Sequence, residues 1–325
     1  MVGGGHSGTV TRRAWVLFAA VSVLWGIPYL LIKIATADLS PLLVVFGRVA
    51  VAAVLLLAVA ARRGTLAALR GRERVVVAVA FCHVIVPFTL ITFGEVRITS
   101  SLTGLLIAVE PVLIALLLLR RDPLTPLRAA GLVTGFAGVA VLLGVDVSGD
   151  RDALVGAGMV LLAAASYAGV TVLVQYRAGD LPPEALAAGT TTVATVVLAA
   201  AALFALPTGP VRVQAWAAVV ALGVLCTAVA LLAFYRLIAL AGSGRAGLIA
   251  YANPVVAALL GVTLLGEPFR IGTLAGFVLV AVGCWLTSAA PSTVGDHVDG
   301  PDEQGQGSGP RRRPASAAKL LRIDR

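Results

Sequence analysis

Charged residues are scarce in this chain. They make up 13% of its 325 residues, whereas hydrophobic residues make up 59%, and an average soluble domain carries about 25% charged residues. Most of the charges lie in short stretches between apolar runs of roughly 18–23 residues, and about 20 apolar residues let a helix cross the hydrocarbon core. The scarcity excludes an ordinary soluble domain and predicts an all-α polytopic membrane protein.

Cysteines and catalytic motifs are equally sparse. Cys82, Cys226 and Cys284 each lie within an apolar run, without C-x-x-C or Cys/His spacing, so we interpret them as small packing residues. No metal site and no cofactor are expected. The chain also has no H-E-x-x-H, no G-x-S-x-G and no Walker A sequence, which argues against an integral-membrane enzyme and against direct use of ATP.

The formal net charge of +9 does not indicate nucleic-acid binding. The lysines and arginines lie in short loops and in one tail, and they form no basic surface interleaved with aromatic residues. Their placement instead reports the topology of the chain in the membrane.

Hydropathy and proline positions predict ten transmembrane helices. They lie near residues 14–34, 41–61, 74–94, 98–119, 126–145, 153–175, 185–206, 213–236, 245–265 and 271–289.

The second half of the chain repeats the first. Gly104 and Pro111 recur at the same spacing as Gly247 and Pro254. Because each repeat has five spans, an odd number, the two halves are predicted to be inverted relative to each other. Secondary transporters have this architecture, with the substrate site between the repeats. The two predicted five-helix repeats cover residues 14–145 and 153–289.

The bias of arginine and lysine between the loops predicts the orientation. It places the N-terminal segment, residues 1–13, in the cytoplasm. The membrane that holds the spans is expected to be the inner membrane of the cell. Residues 290–325 lack an apolar stretch that could pack, so we expect a disordered cytoplasmic tail.

Several segments resemble the EamA-type repeats of the drug/metabolite transporter superfamily. They are Trp25-Gly26 with Lys33, Arg48, the 104–111 segment, and the stretch from Thr227 through Pro254 to Glu267. The resemblance covers roughly residues 16–289. It implies ten-helix carriers of two inverted five-helix units, which move amino acids, other metabolites, drugs or nucleotide sugars. Two features depart from the family pattern: Arg120-Arg121-Asp122 replaces a glutamate that usually closes the fourth span, and Glu110 stands where many relatives have a neutral residue.

Ionisable residues inside the spans are candidates for function, because charge at bilayer depth is costly unless it faces a cavity or a partner. Glu110 lies near mid-span, where a carboxyl group suits the loading and release of a proton; the alternative is a structural carboxylate paired with Arg48 or His83. Arg48 either binds a substrate carboxylate or phosphate or bridges helices. His83 either relays protons with Glu110 or bonds a backbone carbonyl.

Three further residues are candidates for the walls of a solute pathway. Asn253, the only asparagine in the chain, occupies the position that repeats Glu110. Trp25 and Tyr167 occupy matching positions in the first and sixth spans, although aromatic residues also anchor spans at the membrane interface.

Two further pairs of residues lie at or near the ends and breaks of the predicted spans. The matching prolines Pro111 and Pro254 are expected to break their helices at gating or binding positions. Glu95 and Arg97, at the end of the third span, are expected to form a solvated interfacial pair.

Together these features favour a secondary-active transporter of small metabolites or amino acids, working by alternating access as an exporter and coupled to protons through Glu110. An integral-membrane enzyme and a passive facilitator remain as alternatives. The expected partners are a small-molecule substrate and the lipid bilayer, and a homodimer is left open.

Overall fold

The computed structural model describes residues 12–120, 124–146, 150–241, 249–268 and 270–289. Residues 1–11 of the predicted N-terminal segment and the whole predicted tail at 290–325 lie outside these ranges.

The described residues form helices and connecting turns, with no strand among them. The long helices are α1 (Arg12–Thr36), α2 (Pro41–Arg62), α3 (Glu73–Glu95), α4 (Ser100–Leu117), α5 (Pro126–Asp146), α6 (Arg151–Arg177), α7 (Pro183–Leu203), α8 (213–241), α9 (Ile249–Leu265) and α10 (Ile271–Ala289).

The prediction of ten membrane spans is met only in part. Within the described residues, nine helices are long and apolar enough to cross a membrane. The remaining helix, α9, is apolar but has 17 described residues, and its predicted start at residue 245 lies outside the described ranges. The count of ten is therefore not confirmed.

Four of the long helices are interrupted inside the membrane-spanning region. Helix α1 changes direction at Ile27, ahead of Pro28, and α4 is broken between Ile107 and Glu110, ahead of Pro111. Helices α3 and α8 each contain a six-residue π-helical segment, Ala80–Ile85 and Val224–Val229. Such segments disturb the regular hydrogen-bond ladder and often occur at functional sites.

The expected break at Pro254 is absent. Pro254 lies within the continuous helix α9, whereas Pro111 is the second residue of a new helical segment. A proline in the second turn removes one hydrogen bond to the preceding turn, and a helix can absorb this loss without ending. The two repeats therefore differ at this matched position.

The helices pack in a pattern that is preserved when the halves are exchanged. Helices α2, α4 and α5 contact their own counterparts α7, α9 and α10, whereas α3 packs on α6 and α8 packs on α1. The π segments follow the same rule, because the segment of α3 contacts α7 and that of α8 contacts α2. The two halves thus interlock along their length.

Glycines allow the backbones of α5 and α10 to approach closely. A Cβ atom added at Gly138 would lie 2.6 Å from the backbone nitrogen of Val280 and 2.8 Å from the carbonyl oxygen of Gly276. Small residues at such positions are typical of packing between membrane helices, where close contact replaces the hydrophobic effect as the source of attraction.

The carboxylate of Glu267, just after α9, caps the first turn of α4. It accepts hydrogen bonds from the backbone amides of Ser100, at 2.7 Å, and Ser101, at 2.9 Å, and from the Ser101 hydroxyl at 2.6 Å. The unpaired amides and the dipole at a helix N-terminus both favour an anion there. This contact ties the loop after the fourth helix of the second repeat to the start of the fourth helix of the first.

We predict that Gly138→Ala destabilises the protein, because the new methyl group meets backbone atoms that can move only with the helix. The expected cost is about 1–3 kcal/mol, seen as a lower thermal unfolding midpoint of the detergent-purified protein. Gly144→Ala is the matched control on the same helix, since a Cβ there meets nothing within 4 Å. Equal midpoints for the two variants would contradict close packing of α5 on α10.

We also predict that Glu267→Gln lowers the unfolding midpoint, by the equivalent of about 2 kcal/mol, because the amide carries no charge and has only one acceptor oxygen for three donors. Glu73→Gln is the control: the exposed Glu73 carboxylate accepts a bond from the loop amide of Gly71 at 2.8 Å and should matter less. A Glu267→Gln variant as stable as the wild type would show that the cap contributes nothing.

Candidate functional site

Polar side chains from five helices meet in the interior around Tyr167 of α6. The Tyr167 ring lies edge-on to the His83 ring of α3, with centroids 5.7 Å apart and planes at 84°. Tyr167 also lies close enough to Arg48 of α2 and Glu110 of α4 to interact electrostatically with both. Tyr29 of α1 interacts with Tyr167, Arg48 and Glu110. We call these five residues the central cluster; it contains four of the six residues predicted for the pathway.

Glu110 is placed by the interruption of α4. It is the first residue of the second helical segment, immediately before Pro111, and it is half-buried. The Thr171 hydroxyl of α6 donates a hydrogen bond to Glu110 Oε1 at 3.2 Å. No ion pair joins Glu110 to a described residue, so the structural pairing with Arg48 or His83 is not seen.

The break in α4 also releases a backbone acceptor. The amide of Val112 bonds to the carbonyl of Val109, at 2.9 Å, rather than to that of Ala108. The Cys284 thiol of α10 donates to this Ala108 carbonyl at 3.2 Å. Cys284 is buried in one apolar cluster with Ala108, Val109 and Val112. This agrees with the interpretation of this cysteine as a packing residue.

Arg48 is buried and held from two sides. Its Nε donates to the Thr227 hydroxyl of α8 at 2.9 Å, and its guanidinium carbon lies 3.8 Å from the centroid of the Phe88 ring. Thr227 in turn donates to the carbonyl of Leu222 at 2.9 Å. The arginine thus bridges α2 to α3 and α8, as the structural interpretation expects, while its two terminal amino groups stay available.

Each π segment contributes one side chain to this site, and the two side chains differ in their chemistry. His83 is the fourth residue of the segment in α3, and Thr227 is the fourth residue of the segment in α8. One position therefore presents an imidazole to Tyr167, and the other presents a hydroxyl to Arg48. Neither π segment is evident from the sequence, because apolar residues surround both positions.

Asn253 and Trp25, the two other predicted pathway residues, lie outside the central cluster. In the amide orientation that satisfies both side-chain atoms, Asn253 Nδ2 donates to the carbonyl oxygens of Ile249 and Ser22, each at 3.2 Å, which ties α9 to α1. The Trp25 ring packs on Phe234 of α8 with centroids 4.8 Å apart. Both residues lie at the contacts of α1 with α8 and α9.

The expectation of a solvated Glu95–Arg97 pair is wrong. Glu95 is fully buried, with 0% of its surface exposed, and neither carboxylate oxygen accepts a hydrogen bond from a described residue. The Lys33 ammonium of α1 donates to the backbone carbonyl of Glu95, and Lys33, Glu267 and Arg48 interact electrostatically with its side chain. Arg97 instead pairs with Asp152, at 2.9 Å.

Helical periodicity contains the signal that would have located Glu95 correctly. It lies four residues after Ile91 and three after Thr92, both of which are buried, and residues at these spacings share a face of a helix. Arg97, two positions later, is charged and instead indicates the membrane interface.

A cavity of about 510 Å³ opens beside Glu95, at the end of the bundle that carries the loops after α1, α3, α5 and α9. Lys33 also lines an adjoining pocket of about 250 Å³. Lys33 thus contacts both the larger cavity and Glu95, and the Glu95 side chain interacts electrostatically with Arg48 of the central cluster. The cavity is lined by Lys33, Val96, Arg97, Ile98, Thr99, Leu102, Asp150, Ala153, Leu265, Glu267, Pro268 and Arg270.

The described interior brings titratable and hydrogen-bonding side chains together. Two carboxyl groups, one imidazole and one guanidinium lie near two phenols, and no group of three or more metal-ligating side chains occurs among the described residues. This arrangement provides hydrogen bonds, charge and titratable groups within a membrane bundle.

Comparison with known proteins agrees with the architecture. The model of the EamA-like transporter family matches residues 13–144 and 154–289. A solved crystal structure matches with a TM-score of 0.60 and 21% identity, over 84% of this chain and 95% of that chain, which supports the fold.

Two curated relatives match over most of their own length. An uncharacterized transporter of Archaeoglobus fulgidus is 26% identical over 84% of this chain and 98% of its own. The uncharacterized inner membrane transporter YedA of Escherichia coli is 29% identical over 84% of this chain and 92% of its own. The family model, which covers both halves, shows that this multi-pass membrane protein belongs to the EamA-like transporter family, within the drug/metabolite transporter superfamily.

Proposed function

We propose that the chain is a secondary-active exporter of small metabolites or amino acids, which works by alternating access and is coupled to protons through Glu110. The observation that carries the proposal is the position of this carboxyl group, half-buried at a helix break in the central cluster, with the Thr171 hydroxyl as its hydrogen-bond donor. A carboxyl group that is not held in an ion pair is available to gain and lose a proton.

The proposed solute pathway runs from the cavity at Lys33 to the central cluster. Arg48, His83 and Tyr167 lie beside Glu110, and Trp25 and Asn253 lie at contacts of α1 that would rearrange if the repeats rocked against each other. Pro111 supports this role, because the interruption before it is a natural place for movement.

We further propose that the repeats are inverted, that both termini are cytoplasmic and that the protein lies in the inner membrane, as the name of the YedA relative states for that protein. The support is the arginine-rich loop between α2 and α3, since basic loops are retained on the cytoplasmic side.

Cysteine labelling tests this orientation, in a background where the three native cysteines are replaced by alanine. Thr208→Cys, exposed in the loop after α7, should react with a membrane-impermeant maleimide on intact cells. Ala68→Cys, exposed in the loop after α2, should react only after permeabilisation. The reverse pattern would overturn the proposed topology.

Transport itself is tested in two steps. A comparison of metabolites in cells with and without the protein identifies the solute, and everted membrane vesicles then show whether that solute accumulates against its gradient. Accumulation driven by a pH gradient supports the carrier; equilibration without accumulation would identify a passive facilitator; chemical conversion of the solute would identify an enzyme.

We predict that Glu110→Gln preserves folding, because the amide is nearly isosteric and removes a buried charge. The variant should lose pH-driven accumulation and retain solute exchange, which needs no net change in protonation. Wild-type transport should titrate with one apparent pKa that Glu110→Asp keeps and Glu110→Gln lacks. Glu73→Gln, at the exposed end of α3, should transport normally. Normal pH-driven accumulation by Glu110→Gln would remove Glu110 as the coupling residue.

A further inference from the structure

The charge of Arg48 has no contacting counterion among the described residues. Only 8% of its surface is exposed, and its Nε bond to Thr227 is the one hydrogen bond that it makes. Arg63, Arg72, Arg97 and Arg212 each form an ion pair, in contrast to Arg48. A buried charge without a partner is strongly unfavourable, which makes Arg48 a candidate for binding an anionic ligand.

The guanidinium group is oriented before any ligand arrives. Phe88 lies against one face of its plane at 3.8 Å, and Thr227, itself bonded to Leu222, fixes its Nε edge. These contacts leave the two terminal amino groups as an open fork. A guanidinium fork matches the two oxygens of a carboxylate or phosphate, and preorganisation lowers the entropy lost on binding.

The side chains around Arg48 do not neutralise the positive charge of its guanidinium group. Tyr29, Tyr167 and Cys226 interact with it electrostatically but are neutral donors and acceptors, and Glu95 is the one carboxylate among these neighbours. Glu95 accepts no hydrogen bond from a described residue, and Lys33 is the stronger electrostatic partner of its side chain. Two phenols beside a cation can instead hydrogen-bond an anionic group.

The site exists in only one repeat. Arg48 is the eighth residue of α2 counted from Pro41, and the eighth residue of α7 counted from Pro183 is Thr190. The Thr190 hydroxyl donates to the carbonyl of Ala187 in its own helix, at 3.2 Å. The pseudo-symmetric architecture therefore offers one cationic fork and not two.

We infer that Arg48 is an anion-binding residue in the solute pathway, and that the transported solute carries a carboxylate or phosphate group bound by its two terminal amino groups. This inference rests on the proposed transport function, because it names the substrate class of the same pathway. Phe88 and Thr227 act as positioning residues for the fork.

Binding to the detergent-purified protein tests the inference without a transport assay. Acetate, succinate and inorganic phosphate are titrated at constant ionic strength, against acetamide and succinamide as uncharged counterparts, with the unfolding midpoint as the readout. We expect at least one anion to raise the wild-type midpoint in a saturable manner, and the amides to have no effect. The identity of the stabilising anion distinguishes a carboxylate-binding site from a phosphate-binding site.

Variants locate the effect at Arg48. Arg48→Gln should weaken the apparent anion affinity by about 10- to 100-fold, the effect of losing a charge-assisted pair, and Arg48→Lys should lie between it and the wild type. Phe88→Leu keeps the charge and should weaken binding less than Arg48→Gln. Arg62→Gln, at the exposed far end of the same helix as Arg48, is the control cation and should leave the response unchanged.

Two results would overturn the inference. The first is that none of the three anions stabilises the wild type. The second is that the anion stabilises Arg48→Lys and Phe88→Leu as much as it stabilises the wild type, while Arg48→Gln either responds equally or fails to fold. Arg48 would then be only a bridge between helices. Wild-type protein that binds the anion but shows no accumulation driven by a pH gradient would instead count against the proposed coupling alone.

Discussion

The hydrocarbon core supplies no hydrogen-bond partner, and this constraint explains most of the architecture. Every polar group at bilayer depth must be satisfied within the protein, and the structure meets this demand across the repeats. Glu267 accepts hydrogen bonds from the amides at the start of α4, and the Cys284 thiol donates to the carbonyl released by the break in that helix. Within the first repeat, Lys33 donates to the end of α3. The polar groups that remain unsatisfied are therefore informative.

Glu95 and Arg48 are the clearest exceptions among the described residues. The Glu95 carboxylate accepts no hydrogen bond, and the fork of Arg48 donates none, although the two side chains interact electrostatically. A purely structural pair would gain most of its stabilisation by direct contact. Their separation leaves the fork of Arg48 open, as the inferred anion site requires.

Duplication supplies the scaffold, and divergence between the repeats supplies the chemistry. Both halves have a π segment in their third helix, but one places His83 and the other Thr227 at the same position. Likewise Glu110 follows a helix break, whereas its counterpart Asn253 precedes a proline in an unbroken helix. The helical frame is common to both halves, while asymmetric side chains place the histidine and the carboxyl group of the central cluster in the first half.

Composition and repeat spacing by themselves determined the class of this protein: an all-α membrane bundle of two repeats with ionisable residues in its interior. Apolar length and the recurrence of Gly104 and Pro111 suffice for this, because bilayer thickness and helix geometry relate length directly to span. Four of the predicted pathway residues do meet in the central cluster. Only the tertiary structure decided their partners, since helical periodicity assigns a face to each side chain but not the helix that the face meets. Arg48 and Thr227 are 179 positions apart, and the burial of Glu95 depends on how α3 packs against neighbours that no local pattern specifies.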